Sequence, residues 1–92
     1  MHTLQELLNP TTKIEFALPI TAEVQLVVYN ILGQQIATLI NEQVSAGNHS
    51  VLWNASDSKG MKLSSGIYLY KLKATGSDGS EFQETKKMIL IK

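Results

Sequence analysis

Ser65-Gly66-Ile67-Tyr68-Leu69-Tyr70-Lys71-Leu72-Lys73-Ala74 is the stretch on which the reading of this chain turns. After a Ser-Ser-Gly turn its aromatic and branched residues alternate at period two, which predicts a β-strand. Tyr68, Tyr70, Leu72 and Ala74 share one face. On the other, Ile67 and Leu69 give way to Lys71 and Lys73, so the strand is expected to begin central and run out toward solvent. A helix would need apolar residues at i, i+3, i+4 and i+7, and would crowd these side chains against the preceding turn.

Upstream, Ile14, Phe16 and Leu18 alternate with Lys13 and Glu15 until Pro19 stops the ladder, which predicts an edge strand. From Ala22 to Asn30, Val24, Leu26 and Val28 point inward, Glu23 and Gln25 point outward, and Val27 and Tyr29 add apolar surface to the second face. Asn30-Ile31-Leu32-Gly33 turns the chain. Gln35 to Asn41 is a weaker strand, because Ile36, Leu39 and Ile40 keep no single parity and Ala37 is a poor β former; a two-turn helix is the alternative there. Ser45-Ala46-Gly47-Asn48 turns the chain again, and His49, Val51 and Trp53 then share a face, with Trp53 as the expected core plug.

Downstream of the central strand, Thr75-Gly76-Ser77-Asp78-Gly79-Ser80 reads as a hairpin turn, rich in residues that tolerate positive φ. Glu81 to Lys92 is the last strand, polar through Glu84, Thr85, Lys86 and Lys87, then apolar on both faces at Met88-Ile89-Leu90-Ile91. An edge of that kind must be covered or be sticky. Residues 1–8 form a separate lead-in: Thr3-Leu4-Gln5-Glu6 has capping-box spacing for a short helical turn, which Asn9-Pro10 would end. The pattern predicts one all-β domain over residues 9–92, an antiparallel immunoglobulin-like β-sandwich of six to seven strands.

Composition narrows the function. The 92 residues carry eight lysines, eight acidic residues and no arginine, for a net charge of zero. No basic stripe is available to neutralise phosphates, which argues against nucleic acid and polyanionic membrane surfaces as partners. Without cysteine there is no disulfide framework, thiolate nucleophile or zinc cluster. No apolar run approaches membrane-spanning length, and no signal peptide opens the sequence, so a domain acting outside the cytoplasm would be one end of a longer precursor or a piece cut from its context.

Candidate chemical sites have simpler explanations. Asn54, Asp57 and Ser58 beside Gly60 offer one carboxylate, too few hard oxygen ligands for calcium, and read as a turn. His2 and His49 have no carboxylate at a motif spacing, so neither marks a catalytic pair. The Asn48-His49-Ser50 and Asn54-Ala55-Ser56 tripeptides match a glycosylation pattern short enough to recur by chance. Tyr68 and Tyr70 could stack on a sugar or a base, but their position beside Leu72 favours the core. The chain is read as a non-enzyme with no cofactor, no metal and no small-molecule substrate.

Several ordered segments resemble the C-terminal sorting domains of the bacterial type IX (Por) secretion system. They are Asn9-Pro10-Thr11-Thr12-Lys13-Ile14-Glu15-Phe16, Val28-Tyr29-Asn30-Ile31-Leu32-Gly33 with the following Gln34 to Leu39, Ala46-Gly47-Asn48-His49-Ser50-Val51-Leu52-Trp53-Asn54, Asp57-Ser58-Lys59-Gly60, Ser65 to Leu72, and Lys86 to Lys92. The resemblance implies a sandwich that directs an N-terminal cargo domain through the periplasm and across the outer membrane to the cell surface or medium. Its partners would be the secretion machinery and a sortase-like protease that removes the domain. It also implies recognition through Gly66, Tyr68 and Lys71 of the central strand and Lys86, Lys87, Met88, Ile89, Leu90, Ile91 and Lys92 of the last. Lys71, Lys86 and Lys87 could equally serve to keep the sheet edges from aggregating. Leu4-Gln5-Glu6-Leu7-Leu8 departs from the usual Asn- and Pro-rich lead-in, where cleavage would fall. The same pattern is similar to the immunoglobulin-like domain of flagellar hook-capping proteins, a structural module, which is the alternative reading.

Overall fold

The computed structural model describes residues 12–90. The proposed lead-in over residues 1–8, the Asn9-Pro10 boundary, Ile91 and Lys92 lie outside that range. Six strands occupy the described chain: β1 (Thr12–Leu18), β2 (Ala22–Asn30), β3 (Gln35–Val44), β4 (Gly47–Trp53), β5 (Gly66–Gly76) and β6 (Glu81–Leu90). They form two antiparallel sheets, one of β1 and β4 and one in the order β3-β2-β5-β6. The stretch that predicted the fold is therefore an inner strand, flanked by β2 and β6.

The alternations place the core where the sequence implies. Ile14 and Leu18 from β1 and Trp53 from β4 meet Val24, Leu26 and Val28 from β2, Tyr68, Leu72 and Ala74 from β5, and Leu90 from β6. Leu26 and Val28 have no exposed surface. Burying side chains of this size contributes roughly 1.5–3 kcal/mol each, and their convergence from both sheets holds the sandwich together. Opposite them, Ile67 on the outer face is 40% exposed and Leu69 is half-buried, so the outer face of β5 is partly open to water from its first residues.

β3 is a strand, not the alternative two-turn helix, and its broken parity has a cause. Leu26 pairs with Ile40 but Val27 pairs with Thr38, leaving Leu39 as an extra residue; likewise Val28 pairs with Ala37 and Tyr29 with Gln35, leaving Ile36 extra. Two β-bulges thus reset the alternation twice, which lets Ile36, Leu39 and Ile40 all pack against the core.

Trp53 is 4% exposed, and its ring Nε1 donates to the Ser56 carbonyl at 3.0 Å, so the one polar atom of the plug is satisfied. The loop between β4 and β5 is built around Asp57. Its Oδ1 accepts from the backbone N–H groups of Lys59 and Met61, both at 2.9 Å, while the Ser58 N–H donates to the Ile36 carbonyl and ties the loop to β3. The Asp57 carboxylate is therefore committed to a turn, as the simpler reading of that loop has it.

Candidate interaction surface

The two sheets differ in width, and that difference defines the accessible surface. Among the described residues, β1 and β4 together cannot cover four strands, so the inner face of β6 stays open along most of its length. The register sets Phe82, Glu84, Lys86 and Met88 opposite Ala74, Leu72, Tyr70 and Tyr68. Phe82 is 52% exposed, and it borders a cleft of about 320 Å³ lined with Leu18, Pro19, Ile20 and Ala74. Glu84 and Lys86 form an ion pair at 3.7 Å with both side chains about half in water, so the pair adds little to stability.

The residues that the sequence marks for recognition separate into distinct environments. Tyr68 is buried, its hydroxyl donates to the Ser64 carbonyl at 2.7 Å, and its ring meets Trp53; it belongs to the core rather than to a docking surface. Leu90 is also buried and Met88 packs against the core from the sheet margin. Gly66 begins β5 opposite Leu90. Lys71 is half-buried on the outer face, Lys87 is exposed on that face opposite Leu69, and Lys86 lies on the inner face. Ile89, 50% exposed, sits opposite Ile67 on the outer face. These residues occupy one strand pair but two faces, so they form no single patch.

Sequence reasoning missed Phe82 and Glu84, although both fall at period two from Lys86 and Met88. The signal was present in the alternation. What was absent from the sequence was the narrowness of the second sheet, which turns an inward row into an exposed one.

A second projecting feature is the β2–β3 turn. Leu32 is 80% exposed at its tip beside exposed Ile31. The Asn30 side chain organises the turn: Oδ1 accepts from the N–H groups of Leu32 at 2.9 Å and Gln34 at 3.0 Å, and Nδ2 donates to Gln34 Oε1 at 2.7 Å. At the opposite end of β5, Asp78 Oδ1 accepts from the Ser80 hydroxyl at 2.6 Å and the Ser80 N–H at 2.9 Å. These bonds, the hydroxyl's foremost, hold its carboxyl below the ordinary value of 3.8. His49, half-buried in β4, donates from Nε2 to the Ser45 carbonyl at 2.7 Å and stacks at a tilt on Phe16, which makes it a strand residue. Among the described residues, no group of three or more histidine, aspartate or glutamate side chains is placed to hold a metal.

Comparison with known proteins agrees with this architecture. FlgD from P. aeruginosa superposes with a TM-score of 0.67 at 27% identity, over 86% of this chain and 61% of that one. FlgD from Xanthomonas campestris, a protein described for hook capping in flagellar assembly, gives a TM-score of 0.68 at 18% identity, over 88% of this chain and 58% of that one; at that identity the likeness concerns the fold alone. The chain thus corresponds to about six-tenths of the length of either structure. No curated protein matches. These findings support the hook-capping resemblance and give no support to the type IX sorting resemblance. The sequence model for the FlgD Ig-like domain matches residues 2–78, most of the chain, and with the all-β sandwich that the strands build, this chain belongs to the FlgD Ig-like domain family.

Proposed function

We propose that this chain is a non-catalytic, immunoglobulin-like structural module of a larger protein that works in an assembly outside the cytoplasm, in the manner of a hook-capping protein. The observation that carries this reading is the family match over residues 2–78, supported by the likeness to FlgD of P. aeruginosa. A rigid sandwich with projecting apolar turns and open strand edges suits protein–protein contact, in which backbone groups give affinity and alternate side chains give specificity. Fold alone does not name a partner, so the assignment depends on the parent protein. The test is deletion of residues 12–90 from that parent in its own host, followed by electron microscopy of the cell surface. The expected result is loss of a surface assembly with the truncated protein still present. Intact surface structures, together with loss of export of the parent, would overturn it.

A second reading rests on sequence resemblance alone: the segment Lys86 to Lys92, which lies beyond the family match ending at residue 78, resembles a sorting signal. In that reading the last strand is recognised by the type IX machinery, and the domain is removed from exported cargo by a sortase-like protease. The two readings differ in whether the domain moves cargo or holds an assembly.

A further inference from the structure

Among the described residues β6 has a single neighbour, β5, so its other edge carries backbone N–H and C=O groups without strand partners there. Among the described residues nothing covers its inner face from Phe82 to Lys86, and the order of side chains along that face is specific: Phe82, Glu84, Lys86, Met88. Apolar, acidic, basic, apolar is a sequence that complements itself when reversed. In an antiparallel pair related by a two-fold axis normal to the sheet, each residue meets its mirror position about the axis, and inner faces meet inner faces. With the axis through Thr85, Phe82 lies opposite Met88 of the second copy and Glu84 opposite Lys86, and each pairing occurs twice.

We propose that a second copy of this chain docks along the free edge of β6 in that register, joining the two four-stranded sheets into one of eight strands. The neighbouring registers do not fit. An axis through Glu84 sets that carboxylate against its own copy, and an axis through Lys86 or Lys87 does the same for a lysine. An axis through Gln83 sets Phe82 against Glu84. Like charges directly opposite are unfavourable, whereas opposite charges and aligned threonines are favourable. With the axis through Thr85, Thr85 faces Thr85, Gln83 faces Lys87 and Glu81 faces Ile89 on the outer face, so no like charges meet. The half-exposed ring of Phe82 gains the Met88 side chain as a neighbour, a soft apolar contact suited to an aromatic. The exposed intrachain pair of Glu84 and Lys86 becomes part of a cluster of four alternating charges. This inference rests on the geometry of β6 and is independent of the assembly in which the parent protein works.

Sedimentation equilibrium on the 92-residue chain tests it. The unmodified chain is expected to be a reversible dimer. Glu84→Lys and Lys86→Glu should each weaken it by about tenfold or more, because each sets like charges opposite one another twice. Mixing the two variants should restore a dimer, now mixed, since their charges again complement; this separates lost pairing from lost folding. The register is tested by Thr85→Cys, which should form a disulfide-linked dimer on mild oxidation, while Gln83→Cys alone should not, because only directly opposite positions fall within disulfide reach. A chain that stays monomeric at about 1 mM, a dimer indifferent to Glu84→Lys, or a mixture of the charge variants that remains monomeric would overturn the proposal.

Discussion

The rings of Trp53 and Tyr68 meet edge to face across the sandwich, with centroids 6.3 Å apart and planes inclined at 70°. One comes from the two-stranded sheet and the other from the four-stranded sheet, so this contact joins the two layers. Each polar tip is satisfied locally, the indole by Ser56 and the phenol by Ser64. Trp53→Ala should therefore cost about 3–5 kcal/mol, a large part of the stability of a domain this small. Tyr68→Phe, which loses only the hydroxyl bond, should cost about 0.5–1.5 kcal/mol. Urea unfolding monitored by circular dichroism measures both. Equal effects from the two changes would show that the aromatic contact carries no special weight.

Gly33 and Gly66 both follow turns, but their backbones differ. Gly33 has φ of 84°, in the left-handed region where a β-carbon is strained. Gly66, at 158°, is at the far end of the positive range, which L side chains also rarely adopt. Gly33→Val and Gly66→Val should each destabilise by more than about 1 kcal/mol. Thermal melts of the two variants check this, and a melting temperature unchanged by either substitution would contradict it.

Asp78 gives a pH signature. Its carboxyl is held below the ordinary value by the bonds from Ser80, and such a shift means the ionised form favours the folded state. The contribution is fully present above the unfolded value and fades as pH falls through the lower folded value. Asp78→Asn should remove that part of the acid sensitivity, with the pH dependence of melting near neutral pH unchanged, because Asp78 is ionised in both states there. Its partner is the uncharged Ser80, so added salt should change little. Proton titration of Asp78 by NMR is the direct measurement, and a midpoint at or above 3.8 would contradict the geometry.

The Asn30 side chain should likewise matter more than an exposed turn residue usually does. Asn30→Ala removes an acceptor for two backbone N–H groups and a donor to Gln34. A loss of about 1–2 kcal/mol is expected, with faster amide exchange at Leu32 and Gln34 in particular. Unchanged exchange at those two amides would show that the turn is held by its backbone bonds alone.

Much of the fold was legible because β1, β2, β4 and β5 alternate cleanly, each with one apolar row, as Ile14 and Leu18 or Val24, Leu26 and Val28 show. β3 was obscure because two bulges, at Leu39 and Ile36, break the period that identifies a strand. Surface was harder to read than core. Period two says which residues share a face, but it does not say how wide the opposing sheet is, and that width decides that Phe82, Glu84 and Lys86 stand in water. Tyr68 shows the converse: an aromatic that sequence could assign to recognition is fixed in the core by a backbone acceptor four residues upstream. Function was legible only through resemblance, since among the described residues no cluster of side chains points to a particular reaction.

The most direct test of the structural-module assignment is a reporter that carries an inner-membrane export signal and ends in this chain, expressed in a bacterium with the type IX apparatus. If the domain is a structural module, the reporter accumulates in the periplasm with the domain folded and uncut. Delivery of the reporter to the cell surface or medium, abolished by removing Ile89 to Lys92 from a domain that still folds, would contradict the assignment and establish the chain as a sorting signal.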